Sequence, residues 1–288
     1  MFESLLADIS KNWQWMPDKP HETPESTLRA LWQHVTGADH ADHHRVLDDK
    51  GLVHLHELLN RRKAGEPLSY LLGYAEFMGL RLHVGAEALI PRKETEILAG
   101  AAIEAVRDAV SRQGTATVLD MCTGSGNVAL AIAYHVPAAF VWGGDLSDSA
   151  VMLATRNAES LGLAARAKFL AGDFLEPFNT AEFHGKVDVL TCNPPYISSA
   201  RVDQLPHEIG RFEPRMAFDG GPFGVKFLMN LVKEAPRFVK SGGFVCCEIG
   251  VGQGASMKKM FEKNPAYGPT RMFTDNDGNI RALVAELV

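Results

Sequence analysis

At 288 residues, with an ordinary apolar share of 46%, the chain has room for two domains and a core of normal size. A net charge of −6 without a block of Lys and Arg argues against a protein built to neutralise a nucleic-acid backbone, and no apolar run reaches the length of a membrane span. The opening Met1–Asp8 lacks the basic stretch of a secretory signal, and Cys122, Cys192, Cys246 and Cys247 fall in or beside predicted core strands, which reads as free thiols in a reducing, cytoplasmic setting.

Residues 1–75 read as a helical domain. Glu25–Trp32 and the run Val53, Leu55, Leu58, Leu59 have helical spacing, while Pro17, Pro20 and Pro24 mark irregular chain before them. His34, His40, His43, His44, His54 and His56 gather here with Asp39 and Asp42, but in no metal-ligand spacing, so no metal is expected. Arg61-Arg62-Lys63 suits the negative end of a helix dipole. From 76 to 92 the pattern alternates, with Leu80, Leu82 and Val84 on one face, and a β-hairpin linker is expected. A helix is expected from Glu94 to about Val110. Strands and helices then alternate to about Lys263, the pattern of a parallel sheet covered on both faces. Two further strand-like runs flank the turn Asp275-Asn276-Asp277-Gly278 and suit an antiparallel edge pair, so 93–288 reads as one α/β domain.

Four successive predicted strands end in a polar residue. The first, Val118–Met121, carries Asp120 and runs into Cys122-Thr123-Gly124-Ser125-Gly126, a glycine-rich turn that opens a helix near Asn127. Such a turn lets backbone approach a ligand and offers helix N–H groups, and the G-x-G lacks the third glycine of a dinucleotide fingerprint. The second strand ends in Asp145, where a carboxylate can accept two ribose hydroxyls. The third ends in Gly172-Asp173-Phe174, which offers an acceptor for an amino group and an aromatic face for adenine. The fourth, Val187–Cys192, ends in Asn193-Pro194-Pro195-Tyr196. The two prolines stiffen that loop and remove two N–H donors, leaving the Asn193 amide and backbone carbonyls as a cradle for a planar –NH2 group beside Tyr196. This order of strand ends implies binding of S-adenosylmethionine and methylation of an amide or amine nitrogen.

With Arg61–Leu68, Leu89-Ile90-Pro91-Arg92-Lys93-Glu94-Thr95-Glu96, Arg211–Gly221 and Glu248-Ile249-Gly250 in the same order, the chain resembles the HemK/PrmC family of protein-glutamine methyltransferases. The resemblance covers most of the sequence. It implies a class I S-adenosylmethionine-dependent fold, a Rossmann-like and mostly parallel seven-stranded sheet, behind a small helical domain that helps dock a peptide chain release factor. The implied acceptor is the glutamine of a Gly-Gly-Gln loop. Three positions depart from the family pattern: Cys122 stands where a glycine is usual, Lys93 replaces a proline, and Gly221-Pro222-Phe223-Gly224 lacks an acidic residue.

The catalytic set is then Asn193, Pro194, Pro195 and Tyr196. The cofactor set is Asp120, Cys122, Thr123, Gly124, Ser125, Gly126, Asp145, Asp173, Phe174 and Asn193. Glu213 is a further candidate for ordering the substrate pocket. The residues by themselves reach only a planar –NH2 acceptor. An exocyclic adenine amine, a small amide or amine, another protein, or a cofactor-fold interaction protein remain alternatives.

Overall fold

The structure is a computed structural model that describes residues 1–11, 13, 19, 22–37 and 47–288. Contacts divide it into two units, Met1–Ala75 with Pro206–Phe212, and Glu76–Leu205 with Glu213–Val288.

In the first unit, helices α1 (Phe2–Ser10), α2 (Pro24–Thr36), α3 (Asp49–Lys63) and α4 (Leu68–Leu72) bury Leu28, Leu31, Leu55 and Leu58 against one another. Pro24 takes the first turn of α2, where its missing N–H costs nothing, and Thr23 and Ser26 close a reciprocal cap. The short helix His207–Phe212 belongs to this unit, although its sequence lies far downstream, inside the span 93–288 read as one domain. It is fastened by charge. Glu208 Oε1 accepts from Lys19 Nζ at 2.5 Å and Oε2 from the Arg62 guanidinium at 2.7 Å, and Arg62 also reaches Glu22 at 3.3 Å, all with buried side chains. Burial alone would raise the Glu208 pKa, and the two cations outweigh it and hold it below the ordinary value. Arg61, Arg62 and Lys63 thus fall in the last turn of α3, as expected, and each is also paired: Arg62 in this buried network, Arg61 with Glu66 and Lys63 with Asp8. Pro17, Pro20, Asp39, His40, Asp42, His43 and His44 lie outside the described residues.

The hairpin is shorter than the alternation suggested. Strands β1 (Tyr74–Phe77) and β2 (Leu80–His83) are joined by Met78 and Gly79, both at positive φ (49° and 79°), the tight turn that matches strand twist. Val84 and the residues to 92 form no strand, and Pro91 has no ladder donor.

In the second unit, α5 (Thr95–Gln113) leads into the sheet. Its strands are β3 (Ala116–Met121), β4 (Ala139–Asp145), β5 (Ala167–Ala171), β6 (Val187–Cys192), β7 (Val239–Glu248), β8 (Tyr267–Thr274) and β9 (Ile280–Leu287). They lie in the order β5-β4-β3-β6-β7-β9-β8, parallel throughout except for β9, which runs antiparallel to both β7 and β8. Every residue of β6 is buried, as a central strand covered on both faces requires, and its two polar side chains are paired: Asp188 with Thr117 N and Lys240, and Thr191 with Asp120. The two core clusters lie on opposite faces: Cys246 joins one with Ala102 and Val106 of α5, and its neighbour Cys247 joins the other with Leu231 and Phe261. Helices α6 (Asn127–His135) and α7 (Asp148–Ser160) connect the strands. Strand order reverses at β3, and in such a sheet the crevice beyond the carboxyl ends of the strands at that point receives ligands. Among the described residues, no helix is long and apolar enough to cross a membrane.

Candidate active site

A cavity of about 540 Å³ opens at that switch point, within the size range of small-molecule sites. Its wall includes Asp120, Cys122, Thr123, Gly124, Ser125, Asp145, Asp173, Phe174, Asn193 and Pro195. Gly126 caps α6 behind the turn, and Pro194 and Tyr196 do not line the wall. The wall residues of the sequence-derived set are thus gathered on one crevice, and these three are chain neighbours of residues on its wall.

The turn after β3 is held by charge and backbone. Asp145 Oδ2 accepts from Gly124 N at 2.9 Å, and Oδ1 from Ser147 N at 3.0 Å. Burial raises the Asp145 pKa and these backbone donors oppose it. Asp120 is buried and accepts from the Thr123 and Thr191 hydroxyls, each at 2.6 Å; it reaches Thr191 because that residue stands opposite it on β6. Burial pushes its carboxyl up to about 6 against those two bonds. Asp120 is therefore a brace between β3, its own turn and β6. Cys122 adopts φ +57°, the left-handed conformation that a glycine takes freely and a side chain does not.

The loop after β6 is braced from behind. Asn193 Nδ2 donates to Thr95 Oγ1 at 3.3 Å, which leaves Oδ1 as the acceptor for an incoming N–H. The Tyr196 hydroxyl donates to Glu248 Oε1 at 3.0 Å. Burial pushes Glu248 up to about 7, against the opposing effects of Thr95, Arg281 and the tyrosine. Burial also raises the Tyr196 phenol well above its ordinary value. Glu213 is buried and accepts from Ile90 N at 2.9 Å and from Arg92 at 2.5 Å, and so fixes the segment carrying Pro91 and Arg92, which line the wall. Thr95, Glu248 and Arg92 were not among the candidates. Their signal lay in the Pro91–Glu96 and Glu248-Ile249-Gly250 motifs, whose polar residues have no reason to be buried unless they brace something.

A ligand with a hydroxylated ribose, an aromatic base and a charged amino-acid portion fits the donor set: a strand-end carboxylate, an aromatic ring at Phe174, and turn amides at the mouth of α6. Among the described residues no group of three His, Cys, Asp or Glu side chains could hold a metal ion.

Comparison with known proteins agrees with this architecture. Residues 113–280 match the family model described as a methyltransferase domain, and residues 18–73 match that of the PrmC N-terminal domain. The release factor glutamine methyltransferase of Moorella thermoacetica is 39% identical over 229 residues, covering 80% of this chain and 78% of that protein. The Rhodopirellula baltica protein of the same name is 33% identical over 281 residues, 94% of this chain and 93% of its own. Among solved structures, the catalytic domain of human METTL16 in complex with an RNA hairpin superposes with a TM-score of 0.55 at 15% identity, covering 84% of this chain and 83% of that one. The METTL16 N-terminal domain in complex with SAH gives 0.53 at 15% identity, over 91% and 94%. At that identity the likeness is one of fold, and the fold is the expected class I methyltransferase sheet. Family models spanning both parts of the sequence, and relatives alike over most of its length, establish that the chain belongs to the release factor glutamine methyltransferase family.

Proposed function

We propose that this protein transfers a methyl group from S-adenosylmethionine to the side-chain amide nitrogen of the glutamine in a release factor's Gly-Gly-Gln loop. The observation that carries this reading is the likeness to release factor glutamine methyltransferases over most of the chain, together with an Asn193 amide exposed on the strand-switch cavity.

Bound in the cavity, S-adenosylmethionine supplies an electrophilic methyl on a sulfonium sulfur. Asp145 would hold its ribose, Asp173 and Phe174 its adenine, and the Thr123–Ser125 turn its amino-acid portion. The chain's own work is on the acceptor. A glutamine amide nitrogen is a poor nucleophile because its lone pair is shared with the carbonyl. Asn193 Oδ1 and the Pro194 carbonyl accept its two N–H groups, which turns the lone pair toward the methyl and favours a pyramidal nitrogen. Those acceptors are fixed before the reaction, Asn193 by Thr95 and the loop by Tyr196 and Glu248, so their dipoles need no reorganisation as positive charge grows on nitrogen. No strong base is required, since the proton becomes acidic only after methylation.

The reading is tested by incubating the full chain with methyl-labelled S-adenosylmethionine and purified release factor, then mapping label by mass spectrometry. Label on the Gly-Gly-Gln glutamine is expected. Label elsewhere, or on a nucleic acid included as competitor, would replace the assigned acceptor.

A further inference from the structure

The turn Gly221-Pro222-Phe223-Gly224, where the sequence departs from its family, is bolted to the chain that follows Asn193. Gly220 N donates to Ile197 O at 2.8 Å, Ser199 N to Gly221 O at 3.0 Å, and Asp219 Oδ1 accepts from both Ser199 Oγ (2.6 Å) and Gly221 N (3.0 Å). The Gln253 carboxamide staples the two segments: Nε2 donates to Tyr196 O at 3.2 Å and to Gly224 O at 3.1 Å, while Oε1 accepts from Gly250 N at 2.9 Å. The approach is so close that a Cβ on Gly220 would lie 2.6 Å from the Pro195 carbonyl, and one on Gly224 would collide with that of Tyr196. This rigid turn displays Phe223 with 84% of its surface exposed.

Phe223 does not stand alone. With Pro222, Phe227 and the half-exposed Met229 it lines a groove of about 590 Å³ that shares Asp173, Phe174 and Phe227 with the cavity of the candidate active site. A large aromatic exposed at the mouth of a reaction site keeps apolar surface in water, and covering that surface is favourable. The groove also carries Lys226, Lys233 and the Asp173 carboxylate, and Lys233 lies 3.1 Å from Glu234. Mixed and partly neutralised charge of this kind, on a chain of net charge −6, suits a polypeptide and not a phosphate backbone.

We propose that Phe223 is a specificity-determining residue: it packs against an apolar side chain of the protein substrate flanking the methylated glutamine. This rests on the release factor reading above. Because the turn and the Asn193 loop are one braced body, a substrate side chain seated on Phe223 adds binding energy right beside the acceptor site.

The experiment compares the full-length protein with Phe223→Ala and Phe223→Leu, using purified release factor and labelled S-adenosylmethionine. Phe223→Ala is expected to raise KM for the release factor about tenfold, the loss of one well-covered aromatic contact. Its kcat, thermal midpoint and cofactor affinity by calorimetry should match the parent, and Phe223→Leu should recover most of the loss. An unchanged KM in an active parent background overturns the role of Phe223 alone. So does a parallel loss of cofactor affinity, suppression of the effect by competing single-stranded RNA, or sedimentation showing that Phe223 holds a second copy of the chain. A parent protein that labels no release factor overturns the underlying reading and this inference together.

Discussion

Tyr196 and Glu248 hold each other across the back of the acceptor loop, the phenol donating to the carboxylate at 3.0 Å. The bond ties the end of β7 to the loop after β6, so the tyrosine hydroxyl braces that loop from behind. Removing the hydroxyl with Tyr196→Phe should therefore loosen Asn193 without emptying the cofactor site. Loss of one such bond corresponds to about 1–2 kcal/mol, or roughly a five- to thirtyfold fall in kcat. Cofactor affinity measured by calorimetry should stay within about twofold; a large fall there would show that the ring itself lines the binding site.

The same carboxyl predicts a pH dependence of stability. Glu248 titrates near 4.5 when unfolded and is pushed up to about 7 by burial in the folded chain. Between those values the folded state binds the extra proton, so stability falls as pH rises through this window and levels off above it. Glu248→Gln keeps the neutral form at every pH, and Arg281 retains Glu94 at 3.6 Å. Its stability advantage over the parent should grow from about pH 4.5 to 7, reaching on the order of 3 kcal/mol. Parallel urea titrations at pH 5 and 8 check this, and an advantage that shrinks with pH would mean the carboxyl is ionised in the fold.

Asn193→Ala removes the side-chain acceptor that the proposed reaction assigns to the incoming amide. Turnover should be abolished while cofactor affinity stays within several-fold, because the other cofactor-side residues lie at the ends of other strands. Asn193→Asp is the sharper probe. Its carboxylate keeps an acceptor but gives Thr95 no N–H donor, so intermediate turnover is expected if Thr95 serves to orient the side chain. An active alanine variant, measured by methyl transfer under single-turnover conditions, would remove Asn193 from the reaction.

The sheet was legible because four of its strands announce themselves by an apolar stretch leading to a polar residue, and Asp120, Asp145, Asp173 and Asn193 come together on one crevice. Ranges set by long-range partners were not. The helix His207–Phe212 joins the first unit through Glu208, whose cations Lys19 and Arg62 are nearly two hundred and about one hundred and fifty positions away in sequence. The hairpin ended early because a two-residue turn, not the alternation, set its register. Thr95 and Glu248 stayed hidden for a related reason: each acts on the acceptor loop through one buried bond, and spacing carries no record of that.

Asp145→Ala should weaken S-adenosylmethionine binding by about 1–3 kcal/mol if the carboxylate accepts ribose hydroxyls. The structure complicates the alanine variant, since Asp145 also accepts from Gly124 N and Ser147 N. Asp145→Asn separates the two roles. It keeps one oxygen for the turn but offers the ribose a weaker, uncharged partner, so its loss should fall between those of parent and alanine. Equal affinity for parent and both variants in calorimetry would refute the ribose assignment.

Cys122 tests whether a side chain at this left-handed turn position is a strain or an adaptation. Its left-handed φ of +57° costs a side chain roughly 1–2 kcal/mol, while glycine adds back up to about 1 kcal/mol of unfolded-state entropy. Cys122→Gly should therefore be neutral to about 1 kcal/mol more stable, where glycine in an ordinary strand end would destabilise. The side chain also lines the cavity beside the turn amides, so removing it should leave cofactor affinity unchanged or improve it. A glycine variant that is clearly less stable, or that binds S-adenosylmethionine several-fold more weakly, would show that the thiol itself packs against the ligand or against Cys192, and that the sequence departs from glycine here for a reason the backbone does not supply.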